Sequence, residues 1–306
     1  MENYKLPLFS IVIANYNYGR FLEDAIKSVL TQSCQDFELI VCDAASTDNS
    51  VAVIKKYANG LPPNTSYDEW LSKNNSQLPT STPQLITWWC SEKDGGQSAA
   101  FNKGFSHARG RFLTWLNADD IFMPGALKAI KSAIVRHPHG RWFVGGSVWG
   151  NRDLHLERCF RAHRFSRLRA DVGQLMVGGP SSFFEKTLWE EVGGVDESLH
   201  YAMDVDLWYR FYQVAKQIYY RTNSYVWAYR IHEESKMSGP TLDPTSDVNR
   251  RKREQMREER RLLRARYGFG KSGLVAKAGK VLSTSIIDWI GAHWDTVRLK
   301  GVALLK

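Results

Sequence analysis

The sequence has few of the features that mark several protein classes. Only 4 of its 306 residues are cysteines, and their irregular spacing fits neither a zinc site nor a disulfide framework, so we expect reduced thiols. It contains no run of about 18 apolar residues, which argues against a membrane-spanning helix. Its first residues lead directly into an apolar strand without the layout of a secretory signal. We therefore expect a cytoplasmic protein.

Glycine-rich phosphate motifs are also missing. The sequence has no Gly-x-x-x-x-Gly-Lys-Ser/Thr segment, and no Gly-x-Gly-x-x-Gly follows its first apolar strand. These absences argue against a nucleoside triphosphatase and against a dinucleotide-dependent dehydrogenase.

Most of the chain has no net charge. The formal charge is +9, but residues 247–306 hold 15 Lys/Arg and 6 Asp/Glu and so account for all of it. This basic tail lacks interleaved aromatic residues and lacks zinc or RNA-binding motifs. We therefore expect no nucleic-acid partner.

What the sequence does contain is a regular alternation of elements. Apolar, β-branched runs at residues 9–14 and 37–42 predict buried strands, and residues 21–30 between them have helical spacing. Strand, helix and strand in this order predict a parallel sheet with right-handed crossovers. The predicted fold class is α/β, with a Rossmann-like, mostly parallel sheet flanked by helices and a C-terminal helical extension.

The pattern divides the chain into three parts. Residues 1–150 predict a nucleotide-binding half, interrupted at 59–84 by a surface insertion rich in Pro, Asn and Ser. Residues 151–246 have shorter elements and predict a lid or substrate-binding half. Residues 247–306 predict a basic helical extension that is partly amphipathic.

Polar residues follow the predicted strands. Asn15, Asp43, residues 92–96 and residues 117–120 each come directly after an apolar run. Ligands of open parallel sheets bind outside the carboxyl ends of the strands, so these four clusters are expected to form one site. The alternative is that Asn, Asp and Gly stand there only as turn formers.

Adjacent carboxylates are the sharpest of these signals. Asp119 and Asp120 would repel each other unless a cation or hydrogen-bond donors lay between them. Mg²⁺ and Mn²⁺ take such oxygens and complete their coordination with phosphates and water. A diphosphate is therefore the expected partner.

A second acidic pair is formed by Asp204 and Asp206. If a helix begins near Asp204, an ionised carboxylate there is favoured by the helix dipole, and it either acts as a general base or caps the helix. Asp206 has the spacing to pair with Arg210. We interpret Asp204 as catalytic and Asp206 as structural.

Five motifs, taken in order, resemble those of a known family. They are Asn15-Tyr16-Asn17, Asp43, residues 92–104, residues 117–120 and residues 203–210. Over residues 7–238 the chain resembles the family-2 inverting glycosyltransferases with the GT-A fold, of the type that builds bacterial cell-surface polysaccharides. The resemblance implies a nucleotide-diphosphate sugar donor, usually a UDP-sugar, with Mn²⁺ or Mg²⁺ as cofactor. It also implies a glycan or lipid-linked glycan as acceptor.

The same resemblance implies roles for individual residues. Asp204 would be the catalytic base. The metal ligands would be Asp120 as first choice, then Asp119 and His232. The expected contacts of the nucleotide sugar are Ala14, Asn15, Tyr16, Asp43, Lys93, Asp94, Gly95, Asn102, Asn117 and Asp119. The acceptor side would include Pro180, Ser181 and Ser182.

Several alternatives stay open at the level of sequence. The protein could instead be an inactive sugar-nucleotide binder or a nucleotidyltransferase, which would also use paired carboxylates. Nine Lys/Arg within residues 250–266, followed by an apolar-faced segment at 286–297, predict either peripheral attachment to anionic lipid at the inner membrane face or a solvated helix. Six arginines within residues 152–169 either meet an anionic acceptor or form a solvated face.

Overall fold

Nine strands form one sheet within the described part of the chain. The computed structural model describes residues 6–74, 86–163, 177–215, 219–268 and 286–304. The strands are β1 Phe9–Asn15, β2 Phe37–Asp43, β3 Ile86–Ser91, β4 Phe112–Asn117, β5 Ile121–Phe122, β6 Trp142–Gly150, β7 Leu156–Phe160, β8 Ser182–Glu185 and β9 Tyr220–Arg230. Their order in the sheet is β3-β2-β1-β4-β8-β6-β9-β5, and β7 also pairs with β6.

Helices flank this sheet, so the predicted α/β class is confirmed. The described helices are α1 Gly19–Leu30, α2 Ser50–Ala58, α3 Tyr67–Asn74, α4 Gln97–Ser106, α5 Ala126–Arg136, α6 Lys186–Glu191, α7 Met203–Ala215, α8 Gly239–Leu242, α9 Asp247–Tyr267 and α10 Ile286–Leu299. A 3₁₀ turn at Gly179–Ser181 leads into β8.

The first four strands of the sheet, β3, β2, β1 and β4, are parallel as predicted. Alternate residues of β1 face two different cores: Ile11 and Ile13 pack with Leu22 of α1, whereas Val12 packs with Phe101 of α4. Because both faces are covered, these strands are continuous apolar runs. Their carboxyl ends reach one rim, where Asn15 pairs in register with Asp43.

The rest of the sheet is mixed. Strand β8 is antiparallel to β4 and to β6, β9 is parallel to β6, and β5 is antiparallel to β9. The last pairing sets Ile121 opposite Ala228. It therefore brings the end of β9, and the loop after it, against the acidic residues that follow β4.

The predicted surface insertion is only partly described. Residues 59–74 contain α3, and Leu61 is buried beneath the edge of the sheet, where its carbonyl accepts a hydrogen bond from the Trp89 indole. The remainder of the insertion lies among residues 75–85, outside the described residues. This first part packs against β3, since the Asn64 amide also donates to the carbonyl of Trp89.

The C-terminal helices pack against the rest of the protein. Helix α9 buries Glu259 and Leu263, and α10 packs against β7, where Arg161 forms an ion pair with Asp295 at 2.8 Å. Arg161 is one of the six arginines within residues 152–169, and it is thereby paired. Arg152 and Arg158 are exposed, and the other three arginines lie outside the described residues. Among the helices described, none is both long and apolar enough to cross a membrane.

Candidate active site

The rim of the parallel strands holds a buried carboxylate at its centre. Asp43 accepts hydrogen bonds from the amide nitrogen of Asn15 at 2.6 Å, from the hydroxyl and backbone of Ser46, and from the hydroxyl of Ser91 at 2.6 Å. Both of its oxygens are therefore engaged inside the protein. The amide oxygen of Asn15 is buried and has no hydrogen-bond partner, so it is the acceptor on this rim that is left for a ligand.

The other residues predicted to face the nucleoside surround this carboxylate. Tyr16 is 60% exposed and stands beyond the end of β1, and Ala14 is half-buried within it. Across the rim, Asp94 accepts a hydrogen bond from the Gly96 backbone, and partial burial raises the pKa of its carboxyl. Lys93 and Gly95 beside it are exposed. These residues outline an open cleft at the ends of β1, β2 and β3.

Asp119, from the motif after β4, and His232, from the loop after β9, form a buried carboxylate–imidazole pair. The Nε2 atom of His232 lies 3.1 Å from Oδ2 of Asp119, which is 7% exposed. Phe21 and Tyr18 pack against the imidazole, with ring centroids 4.9 and 5.7 Å away. The histidine is buried, and its Nδ1 atom has no hydrogen-bond partner. One carboxylate and one imidazole thus stand side by side at the ends of β4 and β9.

Asp120 differs from its neighbour because it is completely buried. Its side chain is 0% exposed, with Oδ1 accepting the backbone N–H of Arg230 at 3.0 Å and Oδ2 accepting the amide of Asn117 at 2.8 Å. Burial, and then the charge of Asp119, raise its pKa well above the usual range. Asp120 thereby fixes the loop to β9, and it points away from solvent.

The buried side chain of Arg230 stabilises the acidic loop that contains Asp119 and Asp120. Its buried guanidinium donates to the carbonyls of Asp119 and Arg152 and to the carboxylate of Asp24, each at 2.7 to 2.8 Å. Because this one side chain bonds three separate segments, it holds the acidic loop against α1 and the end of β6. Sequence reasoning did not single it out.

A chain of hydrogen bonds leads from the acidic loop to a lysine. Asn117, which is bonded to Asp120, accepts the amide of Gln97 at 2.8 Å. Gln97 in turn accepts the ammonium of Lys236 at 2.8 Å. Burial lowers the pKa of Lys236 to about 8, against the favourable charges of Asp204 and Glu259. Sequence reasoning missed Lys236, and its position four residues after His232 in the same loop is the signal that could have found it.

Asp204 lies in the first turn of α7, close enough to Lys236 for the charges of the two groups to act on each other. It is half-buried, and its carboxylate accepts the N–H of Val205 at 2.7 Å. Burial raises its pKa to about 6, although that hydrogen bond and the positive charges of Lys236 and Arg260 act in the opposite direction. A carboxylate with this pKa can take up a proton near neutral pH, as a general base must.

Asp206 has the structural role that we inferred from its spacing. It is fully buried and pairs with Arg210 at 2.7 Å. Arg266 and the hydroxyl of Tyr267, both from α9, donate to its other oxygen at 2.6 Å. Its carboxylate is thus saturated by the protein and is closed to a substrate.

Four predicted site residues are used inside the protein. The amide of Asn102 bonds both backbone groups of Val195 and the carboxylate of Glu197, so it ties α4 to a turn and has no group left for the diphosphate. On the acceptor side, Pro180, Ser181 and Ser182 are buried. The two serine hydroxyls donate to the carbonyl of Gly178. The side-chain polar groups of these residues are therefore engaged inside the protein.

The residues present are compatible with a divalent cation. Within the described ranges no three His, Cys, Asp or Glu side chains come together as a complete cage. The Asp119 and His232 pair supplies one oxygen and one nitrogen, both of which suit Mn²⁺. Mg²⁺ and Mn²⁺ sites next to phosphates use one or two protein ligands and take the others from substrate and water.

Two solved structures share this fold. TarS from S. aureus, solved with UDP-GlcNAc, aligns over 95% of this chain and 81% of its own with a TM-score of 0.51 and 16% identity. A mannosyltransferase from Pyrobaculum calidifontis, solved with GDP-Man and Mn²⁺, aligns over 96% of this chain and 88% of its own with a TM-score of 0.52 and 14% identity. The fold is therefore that of the GT-A glycosyltransferases.

Sequence comparison places the chain more narrowly. Residues 10–189 match the sequence profile of glycosyl transferase family 2. The chain belongs to glycosyl transferase family 2. It is also 25% identical over 221 residues to an uncharacterized glycosyltransferase of Rickettsia prowazekii. That match covers 70% of this chain but only 61% of the relative, so the chain spans about three fifths of the length of that protein.

Proposed function

We propose that the protein transfers a sugar, with inversion at the anomeric carbon, from a nucleotide-diphosphate sugar to a hydroxyl group of a glycan or lipid-linked glycan. A UDP-sugar is the donor that we put first. The observation that carries this proposal is the hydrogen-bond chain through Gln97 that runs from the acidic loop to Lys236, which faces Asp204. A base and a cluster of groups suited to a diphosphate thus lie at two ends of one connected site.

The donor would lie along the rim. The unpaired amide oxygen of Asn15 and the exposed Tyr16 are available to the nucleoside. Asp43 holds Asn15 in place, which makes it a support for the nucleoside site as well as a candidate contact. Asp94, Lys93 and Gly95 form the opposite wall, whereas the engaged amide removes Asn102 from the donor contacts that we propose.

Asp119 and His232 are the metal ligands that we propose. Asp120 is no longer our first choice of metal ligand because it is buried and both its oxygens already accept N–H donors. The solved complex of the mannosyltransferase with GDP-Man and Mn²⁺ supports the use of a divalent cation in this fold. A cation at this pair would neutralise charge that develops on the departing diphosphate.

The reaction itself is an in-line displacement. Asp204 removes the proton of the acceptor hydroxyl as the oxygen attacks the anomeric carbon, and the bond from that carbon to the diphosphate oxygen breaks on the opposite side. General-base catalysis of this kind contributes about 10² to 10⁴ in rate. Lys236, protonated and bonded to Gln97, adds positive charge between the base and the acidic loop.

A donor-hydrolysis screen tests this function. UDP-, GDP- and dTDP-sugars are incubated with the protein and Mn²⁺ or Mg²⁺, and release of the nucleoside diphosphate is measured. We expect turnover with a nucleotide-diphosphate sugar only in the presence of the metal. Release of pyrophosphate from nucleoside triphosphates would point instead to a nucleotidyltransferase, and donor binding without turnover against a panel of acceptors would point to an inactive binder.

The pH dependence of the rate should follow from Asp204 and Lys236. The base works only when deprotonated, so activity is expected to fall as the pH drops through about 6, the raised pKa of Asp204. Lys236 is charged below about 8, so activity should also fall above that pH. Replacing Lys236 by Met removes a positive charge that lowers the pKa of Asp204, and it should therefore move the acid limb of kcat/KM to higher pH. An unchanged acid limb in that variant would show that the charge of Lys236 does not affect the pKa of Asp204.

We also propose that the protein works in polysaccharide assembly at the inner face of the membrane. Arg250, Arg257, Arg261 and Arg264 follow each other on one exposed face of α9. On α10, Trp294 is 67% exposed and Val297 is exposed beside it. A basic stripe and an exposed tryptophan are features of surfaces that bind anionic lipid.

Vesicle binding measures this property. Because each arginine near an anionic surface contributes about 1 kcal/mol, changing Arg257, Arg261 and Arg264 to Gln should weaken binding to vesicles that contain phosphatidylserine by about 100-fold. Vesicles of phosphatidylcholine alone are the control. If the variant and the original protein bind both vesicles equally, the basic stripe is a solvated face.

A further inference from the structure

Helix α9, which lies outside the segment matched by the family profile, reaches into the active site through a single buried side chain. Glu259 is 4% exposed although the same helix contains eleven other Arg, Lys and Glu residues. Its Oε1 atom accepts the N–H of His200 at 3.0 Å, and its Oε2 atom accepts those of Tyr201 and Ala202 at 2.6 and 2.9 Å. One carboxylate thus holds three consecutive backbone amides.

These amides belong to the segment that leads into the helix of the catalytic base. Helix α7 begins at Met203, and Asp204 is its second residue. Ala202, which precedes the helix, has no side chain that can cap it. Glu259 instead fixes the three backbone amides that lie directly before the helix. A negative charge at this end also suits the positive end of the helix dipole.

Helix α9 itself packs against α7, and this packing holds Glu259 in a fixed position. Leu263, one turn further along, is buried in the core. Arg266 and Tyr267 bond Asp206, which lies one half-turn after Asp204. Helix α9 therefore bonds the chain on both sides of the catalytic base, at residues 200–202 before it and at Asp206 after it.

We propose that Glu259 is a positioning residue for Asp204. It fixes residues 200–202 and thereby the direction in which the carboxylate of Asp204 faces the acceptor hydroxyl. The proposal rests on the role of Asp204 as base, and it extends the catalytic unit into the C-terminal basic helix.

The charge of Glu259 has a second effect that geometry alone would not produce. The ammonium of Lys236 is half-buried and faces Asp204 of α7, Glu259 of α9 and the ring of Tyr201, and its charge reaches His200. Both carboxylates raise the pKa of Lys236 against the effect of burial. Loss of the charge at position 259 should therefore lower that pKa and bring the alkaline limb of activity to lower pH.

The test compares Glu259→Ala, Glu259→Gln and a matched control, Glu258→Gln. Glu258 is the preceding residue, is exposed, and pairs only with Arg261 of its own helix. The rate is followed as hydrolysis of the nucleotide sugar that turns over in the donor screen, and donor binding is measured by calorimetry. Glu259→Ala should reduce kcat by about 10- to 100-fold through misplacement of the base while leaving donor affinity within about twofold. The control should match the original protein in both.

The Gln variant keeps the shape of the side chain and an acceptor oxygen. Its oxygen can still accept the N–H groups of Tyr201 and Ala202, but its amide nitrogen would face the N–H of His200, so it should lose part of the rate at neutral pH, and less than Glu259→Ala loses. It should also show the alkaline limb at lower pH, an effect that a merely structural contact would not cause. Hydrogen exchange gives a readout that needs no substrate: the amides of residues 200–202 should exchange faster in Glu259→Ala, and those of α4 should not.

The results that overturn the proposal are distinct from those that overturn the function. Wild-type kcat in a folded Glu259→Ala variant, or unchanged exchange of residues 200–202, shows that Glu259 does not position Asp204. An equal loss of donor affinity and of kcat shows a general disturbance. Full activity of Asp204→Asn in the same assay removes the base itself and, with it, the proposed mechanism. If Asp204→Asn is inactive and Glu259→Ala is fully active, only the positioning role of Glu259 is wrong.

Discussion

Replacing Asp204 by Asn is expected to lower the rate of sugar transfer by about 10² to 10⁴ and to leave donor binding intact. The change keeps the size of the side chain but removes the group that accepts the proton of the acceptor hydroxyl. Donor binding should persist because Asp204 lies in the first turn of α7 and none of its hydrogen bonds involves the residues of the rim. Initial rates with saturating donor, together with donor titration by calorimetry, measure the two quantities separately.

Asp206→Asn is the matched control for that variant. Asp206 is two residues away on the same helix, but its carboxylate is buried and bonded to Arg210, Arg266 and Tyr267. Removing this buried charge leaves Arg210 without its carboxylate partner, whereas Arg266 keeps Asp196. The change is expected to lower the free energy of unfolding by about 3 kcal/mol. The pH profile of the remaining activity should stay that of Asp204. A fully active Asp204→Asn enzyme would make the assignment of the base wrong.

Replacing Asp119 by Ala is expected to abolish metal-dependent binding of the donor. Asp119 provides the accessible carboxylate of the Asp119 and His232 pair. Loss of supporting residues around a metal already costs about 10- to 100-fold in affinity, so loss of a ligand should cost at least about 100-fold. Titration of the nucleotide sugar with and without Mn²⁺ measures this effect, and metal-free binding should be nearly unchanged.

Asp120→Asn distinguishes the two adjacent carboxylates. An asparagine can still accept the backbone N–H of Arg230, but its amide nitrogen would meet the amide nitrogen of Asn117. Turning the Asn117 amide to relieve this contact would break its bond with Gln97. We therefore expect weaker donor binding that still depends on the metal. If Asp120→Asn loses the metal dependence and Asp119→Ala keeps it, the order of ligands is the one that the sequence suggested.

Sequence patterns predicted the parallel half of the fold well because its signals are local. The continuous apolar runs of β1 and β2, and the helical spacing of α1 between them, lie within a few residues of each other. The antiparallel pairing of β8 with β4 and β6 depends on contacts between distant segments. No local repeat encodes such contacts, so this part of the sheet could not be drawn from the sequence.

The candidate site shows the same division. Asp119 and Asp120 are adjacent and chemically identical in the sequence. Both are buried, but only Asp120 accepts the backbone N–H of Arg230, which lies 110 residues later in the chain. Asn102 belongs to a motif that resembles donor-binding residues, yet its amide is taken by Val195. The motifs therefore indicated which residues gather at this rim but did not rank them.

Glu259 was missed for a related reason. In a helix of arginines and glutamates, one glutamate has no special local pattern. The useful signal is Leu263, four residues later, since an apolar residue at that spacing marks the side that faces the protein. A polar residue on the buried side of a charged helix then requires partners elsewhere in the fold.

The pairing of Asp119 with His232 joins residues that are 113 positions apart in the chain. An unfolded chain does not hold two such residues together, so a cation and nucleotide that occupy both would bind the folded state alone. By mass action this coupling would add about 2.7 kcal/mol to the free energy of unfolding at a ligand concentration of roughly 100 times the Kd. The supply of donor sugar would then determine how long each enzyme molecule survives, as well as how fast it works.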